Sequence, residues 1–133
     1  MAIVLDADVL IADERGVFDL GRWLTAQPES QYEIAAITAA ELLHGLERAT
    51  ETHRVRRQAY IETVFAFCSV IPYTFQTAQV HARLWADLES NGQMIGYHDL
   101  IVAATALERG NPVASFNSRH FAAVPGLTVL IPS

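Results

Sequence analysis

The sequence predicts an α/β protein, a three-layer α/β/α sandwich around a mainly parallel central sheet. Short runs of branched apolar residues, typical of buried strands, alternate along the chain with longer stretches in which apolar residues recur at helical spacing. Alternation of this kind implies right-handed crossovers, which make the strands parallel and cover both faces of the sheet with helices.

The first half of the chain is predicted to contain two strands and three helices. Residues 2–5 (AIVL) are apolar and branched, as in a buried strand, and residues 15–27 form a helix that ends before a proline. Residues 32–37 are the second strand. Residues 38–48 form a helix with leucines on one face, and residues 54–67 form a further helix.

The second half repeats the alternation. Residues 69–72 are predicted as a short strand, and residues 74–90 have helical spacing of apolar residues up to a glycine. Residues 99–108 (DLIVAATALE) form a strongly apolar helix stopped by Gly110. Residues 112–115 and 128–131 are the last strand candidates.

Length and composition indicate one domain over residues 1–133. The chain is 51% hydrophobic, enough for a sizeable core, and no apolar stretch is long and uncharged enough to span a bilayer. Asp6 and Asp8 interrupt the apolar N-terminus, which lacks the positive segment of a signal peptide. A single cysteine, Cys68, cannot form a disulfide within the chain, so we expect a small core residue in a cytoplasmic protein.

The charged residues restrict the kind of function. The net charge of −6 disfavours non-specific binding to a polyanion, and all nine basic residues are arginine. Without lysine, the chain has neither a P-loop nor the lysine that a receiver domain requires, and no glycine-rich turn of a dinucleotide-binding fold follows the first strand. Arginine suits bidentate contacts with phosphate or carboxylate.

Three acidic residues occur where strands end or helices begin. Asp6 ends the first strand, Glu41 lies one turn into the helix after the second strand, and Asp99 opens the apolar helix. In a parallel sandwich these positions converge on the edge where ligands bind. A buried carboxylate is costly unless it is paired, hydrogen-bonded or bound to a cation.

Helix capping is the simpler explanation for each acid alone. Thr38 and Glu41 have the spacing of a capping box, Asp6 or Asp8 can cap a helix after the first strand, and Asp99 in a first turn suits the helix dipole. Yet each acid is flanked by large apolar side chains, which places it at the mouth of the core. A carboxylate has lone pairs for both roles.

Converging carboxylates persist near neutral pH if a hard cation lies between them or if one keeps its proton. Oxygen ligands alone favour Mg²⁺ or Mn²⁺ over zinc. Such an ion lowers the pKa of a bound water and neutralises charge on a leaving oxygen, which is the chemistry of phosphodiester hydrolysis.

The motifs LDADVLI, ITAAELLHGLERA, IGYHDLIVAATAL, ASFNSRHF and VPGLTVL occur in this order along nearly the whole chain. Together they resemble PIN-domain ribonucleases, especially the VapC-type toxins of bacterial toxin-antitoxin pairs. The resemblance implies a PIN-like α/β/α sandwich that cuts RNA with Mg²⁺ or Mn²⁺. It also implies a homodimer and a cognate antitoxin that occupies the active site.

Carried over by position, Asp6, Glu41 and Asp99 match the three best-marked acids of the family. The resemblance implies that they bind metal and activate the attacking water. Asp8 falls where the family often has asparagine. Asp8 then either supplies a further carboxylate to the metal or orients Asp6.

The C-terminal motif departs from the family pattern. Ser115 and Asn117 fit its polar part, but His120 replaces the usual acid, and no Asp or Glu follows Glu108. The replacement predicts weaker binding of one metal ion, or binding of a single ion, and leaves reduced or absent activity open. His120 either binds a softer ion such as Mn²⁺, contacts phosphate or is a surface residue at the start of a helix. Arg119 shares this loop and is predicted to contact RNA.

For several other residues, a functional and a purely structural interpretation both remain open. An arginine cluster after the second-strand helix either holds the RNA backbone or is a solvated helix face; it comprises Arg48, Arg54, Arg56 and Arg57. His98 either contacts substrate or is a solvated loop residue. Tyr97, beside the acids, is the aromatic residue to test for base stacking.

Two alternative functions remain. LDADVL also fits the D-x-D pattern of haloacid-dehalogenase-type phosphatases, although the chain is short for that class and lacks its late acidic motif. A PIN-fold protein with weakened catalysis that serves as a binding module is the non-enzymatic alternative. RNA cleavage, phosphate release from a small ester, or antitoxin binding without either activity would distinguish the three.

Overall fold

Five strands and seven helices alternate along the part of the chain that the computed structural model describes, residues 2–28 and 31–133. The strands are β1 (Ala2–Leu5), β2 (Gln31–Ala35), β3 (Cys68–Ile71), β4 (Val113–Ala114) and β5 (Val129–Leu130). The helices are α1 (Ala7–Glu14), α2 (Leu20–Thr25), α3 (Ala36–Glu47), α4 (Glu51–Phe67), α5 (Phe75–Ser90), α6 (Tyr97–Arg109) and α7 (Ser118–Ala122).

The strands form one parallel sheet in the order β3-β2-β1-β4-β5. From β1 the chain builds the sheet outward through β2 and β3, and then returns to the other side of β1 to add β4 and β5. The gap between β1 and β4 is therefore the topological switch point. In open parallel sheets the crevice beyond the carboxyl ends of strands at this point is where ligands bind.

Helices cover both faces of the sheet, which confirms the predicted three-layer sandwich. Along β1, Ile3 and Leu5 belong to one hydrophobic cluster and Val4 to the other, as the two-residue period of a strand requires. Helices α1, α2, α3 and α4 supply the first cluster, and α5, α6 and α7 supply the second. All three β1 side chains are fully buried, and burial of each contributes about 1.5–3 kcal/mol.

One buried charge lies inside the sheet. Glu33 of β2 is only 6% exposed, and the Arg109 guanidinium at the end of α6 binds both of its carboxylate oxygens, at 2.7 and 2.5 Å. Asn111 donates a further hydrogen bond to Glu33. A bidentate partner and an amide donor together make this burial tolerable.

The helix predicted at 15–27 is wrong at its start, because α1 occupies residues 7–14 and a separate helix, α2, occupies 20–25. Apolar residues occur on all sides of α1, so no helical period is visible in its sequence. Gly16, with a φ of 76°, ends the first helix in a conformation that suits glycine. The other predicted elements have the right type, with bounds shifted by up to three residues.

The predicted Thr38–Glu41 capping box is also wrong. Helix α3 begins at Ala36, its N-cap Ala35 makes no side-chain capping bond, and Thr38 lies inside the helix, fully buried. The short helix α7 was anticipated only by the alternative that placed His120 at a helix start, and it begins two residues earlier, at Ser118. Within residues 2–28 and 31–133, no helix is long and apolar enough to cross a membrane.

Candidate active site

Asp6 and Ser115 lie on either side of the switch point. Asp6 directly follows β1, Ser115 directly follows β4, and the Ser115 hydroxyl donates a 2.8 Å hydrogen bond to Asp6 Oδ2. Asp6 is also the N-cap of α1, since its Oδ1 accepts from the Ala7 amide at 2.9 Å. The Asp6 carboxylate therefore caps a helix and at the same time faces the crevice.

Asp8, in the first turn of α1, points to the same loop. Its Oδ2 accepts a hydrogen bond from the Phe116 backbone amide at 3.1 Å and lies 3.3 Å from the Ser115 hydroxyl. Ser115 in turn accepts a hydrogen bond from the Asn117 amide at 2.9 Å. The loop after β4 thus connects both N-terminal aspartates.

Asp99 enters from the first turn of α6. Its Oδ2 accepts a hydrogen bond from the Asn117 side-chain amide at 3.1 Å and lies 2.7 Å from His120 Nδ1. Asn117 and His120 are also within hydrogen-bond distance of each other, at 2.8 Å. His120 is therefore a direct neighbour of Asp99.

Glu41 reaches the crevice from α3, with its side chain 31% exposed. His98 Nδ1 lies 3.3 Å from Glu41 Oε1. Burial raises the pKa of Glu41 and the nearby Asp99 charge adds to this rise, while His98 opposes it. His98, left open in the sequence, thus contacts one of the acids.

The acids form one electrostatic group. Burial raises the pKa of Asp6 to about 7, the charge of Asp8 adds to this rise, and the bond from Ser115 opposes it. Burial also raises the pKa of Asp8. The charge of Asp99 also raises the pKa of Asp6. The charges of Asp99 and Asp8 likewise raise the pKa of Glu41. Four acidic residues from the starts of α1 and α6 and from α3 therefore place their negative charge in one poorly solvated region.

The donor atoms suit a hard, hydrated cation. Within the described residues, no three His, Cys, Asp or Glu side chains are placed so that they could hold a metal ion as they stand. Mg²⁺, however, keeps several waters and needs only one or two carboxylates from a protein. Asp6, whose charged form is disfavoured by burial and by its acidic neighbours, is the carboxylate that such an ion would stabilise most.

The predicted arginine contacts divide between two places. Arg56 and Arg57 of α4 lie 3.6 and 3.1 Å from the Glu14 carboxylate, and Arg57 also donates to the Gly45 carbonyl. Arg57 and Glu41 line a common cavity of about 160 Å³. Arg119 is exposed on α7, one residue from His120.

Several contacts in this site were beyond sequence analysis. Phe116 was not singled out, although its position between Ser115 and Asn117 was visible. The contacts of His98 with Glu41 and of His120 with Asp99 join residues that only the tertiary fold brings together. Cys68 is buried, and this raises the pKa of its thiol to about 12, in keeping with a core residue.

Comparisons with known proteins agree with this geometry. The PIN domain family model matches residues 3–127. Ribonuclease VapC1 of Rickettsia felis is 32% identical over 134 residues, covering 100% of this chain and 98% of the relative. The tRNA(fMet)-specific endonuclease VapC of Salmonella typhimurium is 30% identical over 96 residues, 72% of this chain and 71% of the relative.

A solved structure with similar coverage comes from Mycobacterium tuberculosis. VapBC-5, a member of the VapBC family of toxin-antitoxin systems, superposes with a TM-score of 0.75 at 29% identity over 97% of each chain. Family model, sequence relatives and fold all agree with the resemblance seen in the motifs. The chain belongs to the PIN-domain family, among its VapC-type ribonucleases.

Proposed function

We propose that this chain is a metal-dependent endoribonuclease and the toxin of a toxin-antitoxin pair. The observation that carries the proposal is that the loop after β4 bonds to three acids at the carboxyl edge of the sheet, Asp6, Asp8 and Asp99. Glu41 belongs to the same group, because the charges of Asp99 and Asp8 contribute to its raised pKa. Two sequence relatives that match most of the chain are named a ribonuclease and a tRNA(fMet)-specific endonuclease. Because the chain belongs to the PIN family, we no longer favour the alternative of a haloacid-dehalogenase-type phosphatase.

Asp6, Asp99, Glu41 and Asp8 are the carboxylates that would hold Mg²⁺ or Mn²⁺, one or two of them as direct ligands and the others by their charge. When bound, such an ion supplies a water of lowered pKa and neutralises charge on the phosphate. In the protein itself, Asn117 fixes the orientation of Asp99 and Ser115 that of Asp6. These contacts hold the acids in place before substrate arrives, which avoids reorganisation during the reaction.

Hydrolysis adds a water oxygen to phosphorus, breaks one P–O bond and transfers a proton to the departing ribose oxygen. An acid of this group that the ion does not bind directly, such as the partly exposed Glu41, is suited to accept the proton that the water loses. Arg119, exposed beside the site, is suited to hold a phosphate on one side of the cut. Arg56 and Arg57 pair with Glu14 and are less available for this role.

A cognate antitoxin and a second copy of the chain complete the proposed assembly, with the cytoplasm, where RNA and reduced thiols occur, as its compartment. VapBC-5 belongs to a family of toxin-antitoxin systems, which supports the antitoxin as partner. An antitoxin that occupies the crevice would have to compete for the same acids as the cation.

The proposal is tested by incubating the protein with tRNA and with unstructured RNA in Mg²⁺, Mn²⁺ or EDTA. We expect internal cleavage with either ion and none in EDTA. Release of phosphate from p-nitrophenyl phosphate without RNA cleavage would contradict the proposal. Tight antitoxin binding without RNA cleavage would favour the binding module.

Replacement of His120 by aspartate is expected to lower the Mg²⁺ concentration for half-maximal cleavage several-fold. His120 lies 2.7 Å from Asp99, so an aspartate there adds a carboxylate beside an existing one and favours a divalent cation. The measurement is a Mg²⁺ titration of cleavage, with His120→Asn as the uncharged control. An unchanged Mg²⁺ requirement in His120→Asp would show that this position does not face the ion.

A further inference from the structure

The loop that carries the polar site residues also presents an aromatic ring. Phe116 lies between Ser115 and Asn117, and its own amide donates to Asp8. The residue is 40% exposed, and its ring packs edge-to-face on Phe18, with centroids 5.2 Å apart and planes at 90°. An apolar ring that stays partly in water beside a group of carboxylates is not explained by core packing.

The backbone around this ring is held on both sides. Ser115, before it, bonds to Asp6, and Asn117, after it, bonds to Asp99. Phe18 supports the ring itself. A phenylalanine has only two side-chain torsions, so a ring fixed in this way loses little conformational entropy when it binds a flat ligand.

We propose that Phe116 is a stacking platform for an RNA base next to the scissile phosphate. The inference rests on the proposed nuclease function and adds a contact to it. Stacking of a base on an aromatic ring contributes about 1–3 kcal/mol and tolerates any base. A base is uncharged, so it can approach Asp6 and Asp8 without the repulsion that a phosphate meets there.

Two other exposed aromatic residues, Tyr97 and Phe75, have different surroundings. Tyr97, the residue chosen from the sequence, is 68% exposed, but its ring packs on Trp85 of α5, in a row of rings along that helix. Phe75 is 79% exposed and begins α5 close to Thr77, whose hydroxyl bonds to Glu108. Glu108 is about 14 Å further along α6 than Asp99, so Phe75 serves as a distant control.

The test measures stacking without cleavage. Single-stranded RNA with one 2-aminopurine is titrated with protein in EDTA at low salt, because stacking quenches the fluorescence of this base. We expect the wild type and Phe116→Trp to quench 2-aminopurine at one position, and Phe116→Leu to lose the quench and bind roughly 5- to 100-fold more weakly. Phe75→Leu should behave as the wild type.

An abasic oligonucleotide separates stacking from a general loss of structure. Removal of the base at that position should weaken binding to the wild type and have no further effect on Phe116→Leu. Equal quenching and binding by Phe116→Leu and the wild type would overturn the proposal. So would a Phe116→Leu variant that binds RNA normally and loses only its antitoxin.

The outcome is independent of catalysis. Cleavage by the wild type in Mg²⁺ is measured separately on the same RNA. Quenching that depends on Phe116 without any cleavage would contradict the nuclease function and leave the stacking contact intact. Cleavage without such quenching would support the nuclease function and contradict the stacking contact.

Discussion

Substitution of Asp6 or Asp99 by asparagine is expected to lower kcat for RNA cleavage by roughly 10²- to 10⁴-fold. Asparagine keeps the size of the side chain and an oxygen at each position, so the capping bond from Ala7 and the bond from Asn117 can persist. The negative charge that attracts a divalent ion is lost. Single-turnover cleavage of end-labelled RNA in saturating Mn²⁺ measures the chemical step.

Asp87→Asn is the matched control, because Asp87 is an exposed aspartate on α5. It should cleave like the wild type. Asp6→Asn or Asp99→Asn proteins that retain full kcat would show that the grouped carboxylates do not carry the chemistry. A loss of kcat in all three variants would indicate a general defect in folding.

Without metal at pH 8, the free energy of unfolding of the same Asp6→Asn variant is expected to exceed that of the wild type. The pKa of Asp6 is about 7 in the folded protein, against 3.8 for an exposed aspartate. The folded state therefore favours the protonated acid. The contribution of Asp6 to the free energy of unfolding is fully present below pH 3.8 and is lost as the pH rises through 7. At pH 8 the loss is on the order of 4 kcal/mol. Asparagine cannot ionise and avoids this loss.

Urea denaturation in EDTA at pH 5 and pH 8 measures this difference. The wild type should lose more stability between the two values than Asp6→Asn, and Asp87→Asn should follow the wild type. Asp8 and Glu41, whose pKa values are also raised, add to the loss in all three proteins. Parallel pH profiles for the wild type and Asp6→Asn would show that Asp6 ionises as freely as an exposed acid.

The sequence predicted the sheet and its acidic edge because both depend on local patterns. Branched apolar runs mark the strands, and acids that follow such runs have to end at the carboxyl edge of a parallel sheet. Gly110, with a φ of 67°, ended α6 as expected. These features need no knowledge of which elements meet.

Features that depend on tertiary packing were either not predicted or predicted wrongly. Helix α1 was missed because its apolar residues lie on all sides. The Thr38–Glu41 capping box was wrong because β2 leads into α3 without a break, two residues before Thr38. The neighbours of Asp99 are Asn117 and His120, about twenty residues later, and only the return of the chain to β4 brings them together.

Mn²⁺ binding can be measured without RNA, because the electron paramagnetic resonance signal of the free ion decreases when the ion binds. This measurement tests the shared cation site directly. The wild type and Asp87→Asn should bind the ion with equal affinity, more weakly at pH 6 than at pH 8, because protons compete for the carboxylates. Asp6→Asn should bind it at least about tenfold more weakly. Equal Mn²⁺ affinity in Asp6→Asn and the wild type would contradict the claim that these carboxylates hold a divalent ion together.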